Sequence, residues 1–547
     1  MDILLFITGV VWLGGTWLRS YRQAQFYQIE EYKSGRYMRW LLQQRSRWLP
    51  GRPVVAAVIG TGLGLLLGEA PGSILPGIIG LLAAGVAVWQ PPPAEVKKPF
   101  RATARAKRLL GAAFGVAALL LAVCLWLIAL VITSDALAVV RVMLAGALLF
   151  LSAPLCLVLG NLLMTPVEAF FRRRFVAQAR ATLERVHPTV IGITGSYGKT
   201  TTKTYLAEIL NGRYRAYPTP KSYNTIMGIC LAINQDLTDN YSVDYFIAEM
   251  GAYVPGEIAR ICGLTHPTIS IVVEVGPQHL ERFGSLENIA QAKYEIIKAL
   301  PPDGVGVFNW DNPYIREMAE RGYPATRLAV SKTVDPAAVP AGGPRFIASD
   351  IHESLDGLRF TVTDRETGAS EPFTTALLGQ HNVTNILLAT AVAVHEGMSL
   401  KDVAFRVRGL QPAENRLVRQ TTAQGITIIN DAYSANPVGV VAALRVLGMH
   451  TNGERLLITP GMIELGSLME QENYTLGKTA AGYASRVFLV GEAQTAPVKA
   501  GLLDAGFPGE RLHVVETLAE AVTWYQTNLS PGDTVLFLND LPDTYAR

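Results

Sequence analysis

Gly192-Ile-Thr-Gly-Ser-Tyr-Gly-Lys-Thr-Thr-Thr202 follows the β-branched run Thr189-Val190-Ile191 and leads into Lys203-Thr-Tyr-Leu-Ala-Glu-Ile-Leu210. Strand, glycine loop, Lys-Thr and helix is the order of a phosphate cradle. Glycines let backbone N–H groups approach an anion, and the helix start adds the positive end of its dipole. Gly195, Ser196, Gly198, Lys199, Thr200 and Thr201 are the residues placed to meet a nucleotide triphosphate. Lys199 would reach the outer phosphates, and the Thr200 hydroxyl a magnesium ion. A ligand-free Gly-rich turn does not account for Lys-Thr at the cradle position. The general pattern has glycine where Ile193 stands; here the glycines are Gly192, Gly195 and Gly198.

Beyond Pro188 the pattern is β–α alternation. Expected strands are Thr189–Ile193, Tyr245–Ala248, Thr268–Val273, Gly304–Phe308, Leu456–Thr459, Val487–Val490 and Thr534–Leu538, with helices such as Leu286–Leu300 and Val383–His395 between them. Such alternation predicts an α/β fold with a mainly parallel sheet covered on both faces. Residues 330–375 differ. Leu358-Arg-Phe-Thr-Val-Thr363 alternates and predicts a small antiparallel insert. Gly409–Arg416 is loop-like, and a new β–α series follows it. The domains expected are 1–171, a helical membrane region, 172–416, an ATP-binding domain, and 417–547, a Rossmann-like C-terminal domain.

The chain has 547 residues, 50% of them hydrophobic, and a mean hydropathy of +0.25. The apolar excess lies before residue 165. Ile3–Leu18 is followed by Arg19 and Arg22 and by no A-x-A-like cleavage site, so it reads as a retained anchor. Val54–Leu67, Ile74–Trp89, Leu109–Ile132 and Leu137–Leu163 complete a set of five expected spans. Leu109–Ile132 carries no charge and is long enough to cross roughly 30 Å of hydrocarbon. The turns at Glu69–Ser73 and Ser134-Asp135 hold no basic residue. Basic residues lie instead in the segment Arg19–Arg52 (with Arg45 and Arg47, against Glu30 and Glu31), near Lys97 and Lys98 (against Glu95), and at Arg172-Arg-Arg174. With the N-terminus outside and five spans these fall on one side, which places everything after residue 172 in the cytoplasm. Tyr21, Phe26, Tyr27, Tyr32, Tyr37, Trp40 and Trp48 make the first basic segment a candidate helix on the lipid surface, or a docking surface for a partner. Net charge of +3 offers no footprint for nucleic acid. Cys124, Cys156, Cys230 and Cys262 show no metal-ligand spacing, which argues against a disulfide framework.

Further polar constellations follow the expected strands. Glu249 ends Phe246-Ile-Ala-Glu-Met-Gly251, where ligands bind in open α/β sheets, and is a candidate magnesium ligand or a simple capping acid. His279 and Lys293 read, singly, as a solvated loop histidine and a solvated helix lysine. Asn309 and Asp311 offer polar groups to a base or ribose. Asn382 and Asn385 open a helix, where such residues often cap. Glu414-Asn-Arg416 offers a guanidinium suited to phosphate. Asn430-Asp431-Ala-Tyr433-Ser-Ala-Asn436-Pro437 is a polar turn, and Glu464-Leu-Gly466 lies beyond it.

In this order, and with this glycine spacing, the motifs from 188 onward resemble the Mur ligase family of ATP-dependent amide ligases, which includes folylpolyglutamate synthetase. Asp431–Pro437 and Glu464-Leu-Gly466 look most like its MurF branch. The resemblance implies an enzyme that transfers the γ-phosphate of ATP to a carboxylate and lets an amine displace it, in peptidoglycan precursor synthesis. It implies that Lys199 contacts the β- and γ-phosphates, that Thr200 and Glu249 serve one magnesium, and that His279 serves a second. Lys293 matches a lysine that family members carbamylate. Asn309 and Asp311 fall near the nucleotide, Asn385 at adenine, and Arg416 and Asp431 complete the ATP site on closure. Tyr433 and Asn436 border the incoming amine. Asn224, in Ser222-Tyr-Asn-Thr-Ile-Met-Gly228, partly matches a substrate loop. The branch has a UDP-binding domain where this chain has apolar helices. The implied partners are therefore a UDP-linked muropeptide or a lipid-linked precursor, an amino acid or dipeptide, membrane lipid and membrane-embedded cell-wall enzymes. Another polymer such as polyglutamate, or a nucleotide-binding scaffold without catalysis, are the competing readings.

Overall fold

A computed structural model describes residues 2–30, 32–43, 48–67, 74–90, 100–134, 137–340, 342–413, 415–433 and 435–539. The chain divides into one unit up to Arg174 and a second from Phe175. Residues 68–73, Glu31, Arg45, Arg47, Glu95, Lys97, Lys98, Asp135, Glu414 and Ser434 lie outside the described residues.

The first unit is helical: α1 (Asp2–Ile29), α2 (Ser34–Gln43), α3 (Gly51–Leu67), α4 (Leu75–Val88), α5 (Ala104–Val131), α6 (Ala138–Leu151) and α7 (Ala153–Val186). Among the described residues α1, α5 and α7 are long and apolar enough to cross a membrane, and α3, α4 and α6 are shorter apolar helices. One expectation is corrected here. Leu137–Leu163 is not one continuous helix, because it breaks at Ser152 between α6 and α7. Pro154 has no N–H to offer the Phe150 carbonyl. That oxygen accepts from Arg19 Nη1 instead, at 2.6 Å. α1 continues to Ile29 with Arg19, Gln23 and Tyr27 buried, and Tyr37 of α2 packs edge-on against Tyr27 at 4.6 Å. Burial is tolerated because the polar atoms find partners. Tyr37 donates to Gln23 Oε1 at 2.5 Å, and Arg19 to the Trp48 carbonyl at 2.9 Å.

The second unit holds two sheets. The first comprises β1 (Thr189–Thr194), β2 (Ala216–Pro218), β3 (Tyr245–Glu249), β4 (Ile269–Val272), β5 (Val305–Asn309), β6 (Thr326–Ser331), β7 (Phe346–Ser354), β8 (Gly357–Asp364) and β9 (Ser370–Thr375), in the order β2-β3-β1-β4-β5-β6-β7-β8-β9. β2 to β7 pair in parallel, and β7-β8-β9 form an antiparallel meander. The antiparallel segment is thus an extension of the main sheet, joined through β6–β7, and not a separate insert. β3, β4 and β5 are buried along their whole length, as helices on both faces require.

From β1 the chain runs to β2 and β3 on one side and then to β4 on the other. The carboxyl ends of β1 and β4 therefore flank a crevice at the switch point. The second sheet orders β10 (Val418–Thr421), β11 (Thr427–Asp431), β12 (Arg455–Thr459), β13 (Arg486–Val490), β14 (Leu512–Val515) and β15 (Thr534–Leu538) as β10-β11-β15-β12-β13-β14, antiparallel only at the β10 edge.

Candidate active site

The glycine loop leaves β1 and turns into α8 (Lys199–Leu210). Gly198 holds φ at +77°, and a Cβ there would lie 2.7 Å from both Asn385 Oδ1 and Val273 Cγ1. Only glycine meets both demands. The loop is pinned across the crevice: Ser196 N–H donates to the Glu274 carbonyl at 2.7 Å and its hydroxyl to the Gly276 carbonyl at 3.0 Å. Lys199 Nζ curls back onto the carbonyls of Gly195 (2.6 Å) and Ser196 (3.3 Å). Burial first, then the Arg416 charge working against Glu249, brings its pKa down to about 8.

Glu249 is 1% exposed at the end of β3. Its Oε2 accepts from Thr200 Oγ1 at 3.0 Å and from Lys203 Nζ at 2.9 Å, and its Oε1 from Asn224 Nδ2 at 3.2 Å. Burial alone would raise its pKa. The charges of Lys203 and Lys199, with the hydrogen bonds, outweigh burial and hold it below the ordinary carboxylate range. Lys203 was not singled out from the sequence. The available signal was its position four residues after Lys199, which puts both on one face of α8.

A cavity of about 300 Å³ adjoins the loop, and eight of the sequence candidates line it: Gly198, Thr201, Asn309, Asp311, Asn385, Arg416, Asp431 and Asn436. Asn309 donates to the Val273 carbonyl (3.0 Å) and Glu274 Oε2 (3.1 Å). Asp311 orders the next turn, accepting from Ser331, Lys332 N–H (2.9 Å) and Thr333 Oγ1 (2.6 Å). Asn385 accepts from Thr202 Oγ1 at 3.2 Å and donates to Asn382 at 3.1 Å. Asn436 caps the helix Pro437–Met449 through Gly439 N–H at 2.9 Å. Burial pushes Asp431 up to about 6 despite Arg416. Glu274 and Lys332 also line the cavity and were missed, because no local motif marks them; His381, within the run from Gly379 to Asn385 that opens a helix, lines it too. Burial raises Glu274 to about 7, and Asn309 and Asn312 hold its two oxygens.

The remaining candidates sit elsewhere. Tyr433 lies with its hydroxyl 2.6 Å from Ser222 Oγ and the Arg416 guanidinium 4.4 Å over its ring. Lys293 is buried on the helix Leu286–Lys298, where burial and then the Lys199 charge lower its pKa to about 7. His279 has φ +56° and places Nδ1 2.5 Å from Glu464 Oε2, off the line of an ideal hydrogen bond.

Thr200 and Glu249 present adjacent oxygens at the cradle. That donor set fits magnesium, which takes one or two protein oxygens and fills its shell with substrate phosphates and water. Among the described residues no group of three or more His, Cys, Asp or Glu converges as a preformed metal cluster. A second ion would need donors beyond the side chains already gathered.

Two family models match within the second unit: the Mur ligase middle domain over residues 193–393, and the Mur ligase glutamate ligase domain over residues 415–539. The UDP-N-acetylmuramoyl-tripeptide–D-alanyl-D-alanine ligase of Bacillus subtilis is 30% identical over 361 residues, covering 66% of this chain and 74% of that one. The Escherichia coli enzyme of the same name is 32% identical over 350 residues, covering 64% and 73%. A crystal structure of MurF from Acinetobacter baumannii superposes with a TM-score of 0.59 at 26% identity, over 68% of this chain and 78% of that one.

Proposed function

The chain belongs to the Mur ligase family, and on that premise we propose that it forms an amide bond with ATP, adding D-alanyl-D-alanine to a muramoyl tripeptide for peptidoglycan precursors. The observation that carries this reading is the cradle itself: the glycine loop that borders the cavity of about 300 Å³ leads into Lys199 and Thr200, and Thr200 donates to the buried Glu249, whose pKa is held low. A carboxylate oxygen of the tripeptide attacks the γ-phosphorus and ADP departs. The amine nitrogen then attacks the acyl carbon, the phosphate leaves with its electron pair, and the amine loses a proton.

Lys199 uncurls from the loop carbonyls to meet the phosphates. Thr200 and Glu249 would hold a magnesium ion, which would supply neutralisation of the phosphate charge. Asn309, Asp311 and Asn385 shape the base and ribose end, and Arg416 and Asp431 close it from the second sheet. This assigns 172–416 to ATP binding and 417–547 to the moving domain. Lys293 is the carbamylation candidate, since a neutral amine is what attacks carbon dioxide. Tyr433 and Asn436 border the amine, and Asn224 belongs to the substrate loop.

A lipid-linked acceptor is the second reading, favoured by the apolar helices α1, α5 and α7. On this reading the first unit is multi-pass in the inner membrane and the ligase unit is cytoplasmic. Purified protein with ATP, magnesium and D-alanyl-D-alanine, given UDP-linked tripeptide in one arm and lipid-linked tripeptide in the other, separates the two by product mass. Product in neither arm would refute both.

A further inference from the structure

In the helical unit a groove of about 410 Å³ runs along α3, walled by Trp12 of α1 and by Leu144 and Phe150 of α6. α3 lines it from Val54 to Leu65 at helical spacing, so one face of the helix forms its floor. A rise of about 1.5 Å per residue makes that stretch roughly 16 Å long. This is close to one leaflet, half of the roughly 30 Å of hydrocarbon in a bilayer. A Cβ at Gly60 would lie 2.7 Å from Met143 Cε, and one at Gly64 3.3 Å from Val140 Cγ2. α3 and α6 are therefore close and antiparallel, which sets Phe150 at the end where α3 begins. The lining side chains Val58 and Leu65 are exposed, so the groove is open along its side. Its two ends differ in charge. At the Phe150 end the Arg19 guanidinium lies 4.9 Å from that ring and donates to the Trp48 carbonyl at 2.9 Å. Arg52, next to the lining Pro53, is exposed and stands 4.6 Å over the Trp89 ring. Beyond Leu65 the sequence up to Ser73 holds Glu69 and no basic residue.

We propose that this groove binds one acyl chain of an anionic membrane phospholipid, with the phosphate at Arg52. The apolar lining and the length of one leaflet suit an acyl chain. The open side lets the lipid's second chain stay in the bilayer. Arginines at one end alone give that end charge complementarity to an anionic headgroup. A carrier chain longer than one leaflet would overrun the groove. The proposal rests on the first unit being embedded in a membrane, and its test separates the two claims.

The probes are phosphatidylglycerol and phosphatidylcholine, each with a photoactivatable diazirine on one acyl chain, in nanodiscs that hold the full chain. Label is mapped by peptide mass spectrometry after irradiation. The variants are Gly62→Leu, Arg52→Gln and, as a control, Gly85→Leu. A Cβ at Gly62 or at Gly85 meets nothing within 4 Å. Gly62 lines the groove and Gly85 is on α4, so the same added bulk plugs the groove only in the first. Melting temperatures monitor folding. The expected result is phosphatidylglycerol label concentrated in residues 53–65 and 144–151, lost in Gly62→Leu and kept in Gly85→Leu. Phosphatidylglycerol should label this stretch about 5-fold more than phosphatidylcholine, and Arg52→Gln should remove the preference. Even label over all the apolar helices, unchanged by Gly62→Leu, would overturn the groove site and leave the embedding intact. Equal label from the two probes would overturn the anionic headgroup. Displacement of the label by polyprenyl phosphate, but not by excess unlabelled phosphatidylglycerol, would overturn the occupant. Absence of the chain from carbonate-washed membranes would refute the embedding and the proposal with it.

Discussion

Glu249 and Lys203 form a salt bridge in which both side chains are almost fully removed from water. Taking one partner from such a pair strands the other charge, at a cost of about 3–5 kcal/mol. Lys203→Met is therefore expected to lower unfolding free energy by that amount in a urea titration. An unchanged midpoint would mean the pair contributes nothing. Lys199 plays the opposite part, since its bonds to the Gly195 and Ser196 carbonyls are replaceable by phosphate oxygens. Lys199→Ala should leave the melting temperature within a degree or two and cut ATP-dependent product formation on the order of 10²-fold or more. For Lys293 the sign follows from its lowered pKa. Below about pH 7 the amine is protonated and cannot attack carbon dioxide, and above it the amine is free. Activity of carbon-dioxide-depleted enzyme should thus be restored by bicarbonate at pH 8 and much less at pH 6. Equal restoration at both, or none, would count against carbamylation.

Among the elements, the loop between β1 and α8 is tightly constrained. At Gly198 the backbone is left-handed and the space for a side chain is taken by Asn385 and Val273. Gly198→Ala should add about 1–3 kcal/mol of strain and weaken binding of a non-hydrolysable ATP analogue accordingly in calorimetry. Wild-type affinity would show the loop to be slack. This element was legible in sequence because its pattern is local: strand, glycines and Lys-Thr are contiguous. The buried parallel strands were legible too, as apolar runs at β3, β4 and β5. What stayed hidden depends on long-range packing. The three-residue β2 has no pattern of its own. Lys203 looks like a surface lysine until β3 brings Glu249 to it, and Glu274 becomes a site residue only where β4 ends beside the loop. The break at Ser152 was masked by continuous hydropathy, although Pro154 marked it. The partnership of His279 with Glu464 joins segments from different sheets, which no spacing rule connects.

The whole molecule couples a helical unit rich in exposed apolar side chains, such as Leu66, Leu119 and Val131, to a ligase unit with its own cores. The full chain should sediment with membranes and stay there through an alkaline carbonate wash; release into the supernatant would contradict a spanning arrangement. The chemistry itself is tested most directly by isotope. The acceptor tripeptide is labelled with oxygen-18 in its reacting carboxylate and turned over with ATP, magnesium and D-alanyl-D-alanine. An acyl phosphate requires that each amide formed deliver one labelled oxygen to inorganic phosphate. Amide formed with unlabelled phosphate would refute that intermediate, and no amide from either UDP-linked or lipid-linked acceptor would refute the ligase.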